Sequence, residues 1–162
     1  MIQGIQMWNI QVLCVGKLKE PFYAQAAKEY EKRLVPYCKL EIKEVAEERL
    51  PDQPSQAQIQ IALEKEAQRL QPDLEKSTVI ALCIEGKPYT SEGFAQQLES
   101  MALEGRSKLS FVIGGSYGLS PSVKSKARIR LSMSSMTFPH HMARVMLLEQ
   151  IYRGFQISSV DV

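Results

Sequence analysis

FVIGGSYGLSPSV, residues 111–123, carries an apolar strand into three glycines within five residues (Gly114, Gly115, Gly118) and leaves through a helix start. Glycines at the end of a strand let backbone pass where a β-carbon would collide with a neighbouring loop or a ligand. Ser120 and Pro121 are a good N-cap and first-turn pair. By itself such a turn is only a tight connection, and GGSYG is neither G-x-G-x-x-G nor a P-loop ending in Gly-Lys-Ser/Thr. A ligand site here needs support from elsewhere in the chain.

Working outward, strands alternate with helices. Asn9 to Val15 reads as a buried strand, preceded by an extension over residues 1–8. Pro21 opens a helix whose apolar stripe is Phe22, Ala26, Tyr30 and Leu34, and Pro36 stops it. Leu40 to Val45 alternates like a half-solvated strand, and the acidic, proline-broken AEERLPDQPS (46–55) is a loop. A helix follows over Ile59, Ala62, Leu63, Ala67 and Leu70. Thr78 to Ile84 is a central strand closed by a turn at Gly86-Lys87-Pro88, and a helix from Ser91 to Glu104 ends at Gly105. This alternation predicts a parallel α/β sheet. In such sheets ligands lie beyond the carboxyl ends of the strands. Those ends supply Leu82 to Lys87, Gly114 to Gly118, and Met133 to Phe138, a loop of small, hydroxyl and thioether residues without regular period.

Composition sets bounds. A chain of 162 residues with 44% apolar content suits one domain with a real core. No apolar run reaches the roughly 18 residues needed to span a bilayer, and no secretory signal pattern opens the chain, so a cytoplasmic protein is expected. Cys14, Cys38 and Cys83 form no C-x-x-C and sit in apolar surroundings, as buried free thiols do. The net charge of +2 conceals an asymmetry: residues 1–105 carry 12 Lys and Arg against 16 Asp and Glu, residues 106–162 carry 8 against 2. Lys124, Lys126, Arg128 and Arg130 lie near the glycine turn, with Arg144 and Arg153 beyond, which suggests an anionic partner such as RNA or else a solvated face.

VGKLKEPFY (15–23), IEGKPYTSEGFA (84–95), FVIGGSYGLS (111–120) and MTFPHHMARVMLLEQIYR (136–153), in this order and spacing, resemble the RlmH (YbeA-type) family of bacterial large-subunit ribosomal RNA pseudouridine N3-methyltransferases. The likeness runs from about Asn9 to Ile157, so residues 9–157 are expected to be a single SPOUT methyltransferase domain. It implies an α/β fold with a parallel sheet and a C-terminal trefoil knot, an arrangement generic topology rules would exclude. It further implies S-adenosyl-L-methionine as cofactor, 23S rRNA within the ribosome as partner, and a homodimer with the site at the subunit interface; neither a membrane nor a metal is implied. Carried over residue by residue, the cofactor contacts are Leu82, Gly114, Met133, Ser134, Ser135, Met136, Thr137 and Phe138. Leu82 would pack on the adenine or ribose, and main chain of the 133–138 loop would bond the adenine edge.

Methyl transfer from a sulfonium is chiefly a matter of alignment, yet the target nitrogen must lose a proton. His140 and His141, the only histidines, are candidates for the acceptor, although helix starts commonly use polar residues as caps. Without a nearby acid or cysteine cluster they make a poor metal set. Arg144 and Arg153 are candidates for RNA phosphate or for orienting a partner subunit. One departure stands out: family chains end in a Tyr-His pair, whereas this one ends QISSVDV, a divergent tail over 158–162. A catalytically weakened homologue that binds cofactor or ribosome is therefore the alternative reading.

Overall fold

The computed structural model describes residues 8–106 and 108–160. Most of the proposed N-terminal extension and the last two residues of the tail fall outside them. Five strands, β1 (Trp8–Val15), β2 (Cys38–Val45), β3 (Thr78–Pro88), β4 (Lys108–Ile113) and β5 (Ile129–Ser132), form one sheet in the order β2-β1-β4-β3-β5. Every pairing is parallel. The interior strands are apolar on both faces, as strands covered by helices must be: Val12, Leu13, Phe111, Val112, Ile80 and Ala81 are all 1% exposed or less.

Helices α1 (Pro21–Leu34), α3 (Ser91–Leu103) and α5 (His140–Val160) cover one face, and α2 (Gln56–Leu74) with α4 (Pro121–Lys126) the other. Leu147, Leu148 and Ile151 of α5 are fully buried against both α1 and α3 as well as the sheet. The long apolar run of α5 is thus largely accounted for within one chain. Three helices begin on side-chain caps that the sequence supplies, α4 on Ser120, whose hydroxyl accepts from Val123 N. Ser55 and Gln58 form a reciprocal capping box at α2, and Thr90 accepts from Gly93 N at α3. All three cysteines are buried free thiols, as expected; burial pushes Cys14 and Cys38 up to about 11.

Two sequence readings need correction. Phe22 is 63% exposed, and the inward stripe of α1 runs instead through Tyr23, Ala27, Tyr30 and Leu34, whose spacing follows the helical period more closely than strict fours. Gly86-Lys87-Pro88 is not a closing turn. The strand bulges between Leu82 and Lys87 and resumes, pairing Lys87 with Leu131 and Pro88 with Ser132. Gly86 allows this because a β-carbon there would lie 2.6 Å from the Arg130 carbonyl oxygen.

Candidate active site

Because β4, β3 and β5 are neighbours, the bulge of β3 and the loops at the carboxyl ends of β4 and β5 must meet. They enclose a cleft of about 370 Å³. Six of the eight expected cofactor residues line it: Leu82, Gly114, Met133, Ser134, Met136 and Phe138. Ser135 and Thr137 belong to the same loop but are exposed and do not line the cleft. Ser132 shapes this loop from below, its hydroxyl bridging the Ile84 and Ser134 carbonyls at 3.0 and 3.1 Å, while Met136 N donates to Ser134 Oγ at 3.0 Å.

The glycine turn is closed on itself. Gly115 and Gly118 form an isolated antiparallel bridge, and a β-carbon on Gly114 would come within 2.9 Å of Gly118 Cα and nearer still to its carbonyl. Gly114 is therefore required first by its own loop, before any ligand. The turn is also anchored from outside: Ser116 N donates to Glu47 Oε2 at 2.8 Å, and Gly115 packs so closely that a β-carbon would sit 2.5 Å from the same oxygen. Glu47, from the acidic loop after β2, was not singled out by the sequence. Only its position directly after a strand end hinted at a place on the ligand edge.

The cleft fits a molecule with an apolar body and a hydrogen-bonding heterocyclic edge. Ile84, Tyr117, Met136 and Phe138 show apolar surface at its rim, at 53, 49, 71 and 36% exposure. Among the described residues no buried side-chain polar atom lacks a partner, and the main chain of Phe138, which lines the cleft, makes no hydrogen bond to another described residue. Polar recognition here would fall largely to backbone amides and carbonyls. Charge is confined to one edge, where Lys124 Nζ lies 2.6 Å from Glu85 and holds that carboxyl below its ordinary range. Among the described residues no group of His, Cys, Asp and Glu has the makings of a metal site.

The two histidines have different surroundings. His141 Nδ1 is 3.0 Å from Glu20 Oε1, with Tyr23 against its ring. His140 lines the cleft; burial and then the neighbouring His141 hold its pKa below 6.5, with Glu47 opposing. Arg144 points inward. It is 4% exposed, donates to Glu44 Oε2 at 2.8 Å and to the Gly16 carbonyl at 3.4 Å, and has no side open to a phosphate in the single chain. Arg153 is exposed and bonds Glu149, one turn back on α5, through two nitrogens at 3.0 and 3.1 Å.

The sheet order, the glycine turn and the 133–138 loop define a class. The chain belongs to the SPOUT methyltransferase family: the model described as "Predicted SPOUT methyltransferase" matches residues 8–161. Within that family it is of the RlmH type. Proteins named "Ribosomal RNA large subunit methyltransferase H" from Clostridium botulinum strains Hall and Kyoto are each 51% identical over 150 residues, covering 92% of this chain and 94% of theirs. Solved structures share the fold at low identity. A probable methyltransferase from Bordetella pertussis Tohama I has a TM-score of 0.56 at 13% identity, over 91% of this chain and 96% of that one. A probable methylase family protein from Haemophilus influenzae Rd KW20 has a TM-score of 0.54 at 15% identity, over 95% and 67%.

Proposed function

We propose that this chain is an S-adenosylmethionine-dependent rRNA methyltransferase that modifies N3 of a pseudouridine in 23S rRNA of the assembled ribosome, in the cytoplasm. The observation that carries the reading is the closure of the β3 bulge and the carboxyl-end loops of β4 and β5 on one apolar cleft. The relatives' name supplies the substrate class. The cofactor contributes an electrophilic methyl group. Leu82, Met133 and Phe138 would enclose its apolar parts, and the amides and carbonyls of the 133–138 loop would select its adenine edge without charged side chains. Supporting residence outside the bilayer, no helix among the described residues is long and apolar enough to cross a membrane. Incubation with S-adenosylmethionine and undermethylated ribosomes, followed by mass spectrometry of the rRNA nucleosides, is expected to yield a methylated pseudouridine; unchanged large-subunit rRNA would overturn the reading.

We infer further that the β5–α5 segment is threaded as a trefoil knot and that two copies associate through it. Supporting the threading, α5 starts beside the glycine turn and then packs between α1 and α3. Supporting association, Met142, Val145 and Met146 stay only half-buried although Leu147 and Leu148 beside them are fully covered. Sedimentation at micromolar concentration is expected to give twice the mass of one chain. A single-chain mass would exclude a site shared between subunits.

A further inference from the structure

The carboxyl edge of the sheet bears a second cleft, of about 650 Å³, formed by the loops that follow β1 and β2. Among the described residues His140 is the one side chain that lines both this cleft and the one beyond β3, β4 and β5. We propose that the second cleft receives the target nucleotide, and that His140, standing where the two clefts meet, takes the proton from the ring nitrogen that is methylated. This rests on the methyltransferase reading above. A bond forms between the ring nitrogen and the methyl carbon as the carbon–sulfur bond breaks. The thioether leaves with that electron pair, and the N–H proton passes to the imidazole.

The second cleft carries both signs of charge: Glu20, Glu44 and Glu47 line it, engaged by His141, Arg144 and Ser116 N respectively, alongside Lys17 and Lys19. Its floor is the Gly16-Lys17-Leu18-Lys19 loop, part of a motif that the donor cleft does not use. Gly16 N donates to the Val45 carbonyl at 2.8 Å, Leu18 N to Glu44 Oε2 at 3.0 Å, and Arg144 reaches the Gly16 carbonyl. The loop is thereby fixed, while Lys17 and Lys19 are exposed and without an ion-pair partner among the described residues. Fixed backbone with free ammonium groups suits a nucleotide phosphate. Gly16 adopts φ +100°, and a β-carbon there would stand 3.5 Å from Glu47 Oε1 and 3.8 Å from His140 Nε2. A β-carbon would make ordinary contact with both groups, so it is the positive φ that calls for glycine here.

His140 is also the histidine in the right state. His141 is engaged by Glu20, whereas His140 is held below its usual pKa by burial and by His141, against the opposing pull of Glu47 and Glu20. Lys17, Lys19, Glu44 and Arg144 complete the charged surroundings on this side, Glu85 and Lys124 on the donor side. A neutral imidazole at pH 7 is competent to accept a proton.

With only two histidines, the imidazole C–H signals in a proton NMR spectrum are assigned by one variant, His141→Asn. Pseudouridine 5′-monophosphate titrated to millimolar concentration is expected to shift the His140 line, and to do so less in a Lys17→Ala/Lys19→Ala double variant. In turnover on ribosomes, His140→Gln is expected to lower kcat by about 10²–10⁴-fold with KM for ribosomes nearly unchanged. It should also remove the acid limb of the pH–kcat profile, which should coincide with the His140 titration seen by NMR. A folded His140→Gln protein, checked by circular dichroism, that keeps its kcat or its acid limb overturns the proton role. A His140 line unmoved by the nucleotide overturns the cleft assignment. Should the parent chain itself leave rRNA unmethylated, the methyltransferase reading fails, and the NMR arm still decides the cleft.

Discussion

Gly114→Val is expected to reduce S-adenosylmethionine affinity by about a hundredfold or more, roughly 3 kcal/mol, as measured by calorimetry. The side chain cannot be accommodated. Its first carbon alone falls within 2.9 Å of Gly118 Cα, and the atoms it meets are backbone with no rotamer to change. Relief requires opening the Gly115–Gly118 bridge, which moves Tyr117 and the Gly114–Leu119 wall into or away from the cleft. Overpacking of this kind typically costs about 1–3 kcal/mol of stability, so the variant should fold. Gly114→Ala carries the same clashing atom and should show most of the loss. Equal affinity in a folded Gly114→Val protein would mean that the cofactor binds elsewhere.

Arg144→Met is expected to destabilise the fold by about 3 kcal/mol in urea unfolding, because it strands a carboxylate in a partly buried site. Glu44 shows how much rests on the arginine. Burial raises its pKa, yet hydrogen bonds from Arg144 and Leu18 N outweigh burial and leave it below 4.5. A carboxyl depressed in this way contributes stability that is present above its ordinary pKa and lost as pH falls through the folded one. The gap between parent and variant should therefore narrow under acid conditions. Adding Glu44→Leu to Arg144→Met should recover much of the loss, since the pair is then removed together. A cost below about 1 kcal/mol for the single variant would show that the pair contributes little.

What the sequence disclosed and what it hid follow from the range of the interactions involved. Strand–helix alternation, the cap at Ser120, and the carboxyl-end loops after β4 and β5 are local patterns, and each was legible. The bulge in β3 was not, since Gly-Lys-Pro signals a turn wherever no neighbouring strand is at hand to pair with it, and Leu131 is supplied more than forty residues later. Arg144 read as a surface cation because its partner, Glu44, lies 100 residues away. Glu47 was hidden for the same reason, 69 residues from the amide it holds. His140 and His141 could not be told apart as adjacent letters. One turns to Glu20 and the other to the junction of two clefts, a distinction that exists only once α5 is laid against the sheet.

The burial of α5 has a bearing on how the protein comes into being. Until residues 140–160 have been synthesised, the face of the sheet between α1 and α3 has no cover, and the side of the core completed by Leu147, Leu148 and Ile151 stays open to water. Both clefts also lack their common wall. Sheets joined across such long sequence distances pass through slow, surface-exposed intermediates. A nascent chain of this sequence thus lacks both clefts until α5 has emerged and packed against the sheet.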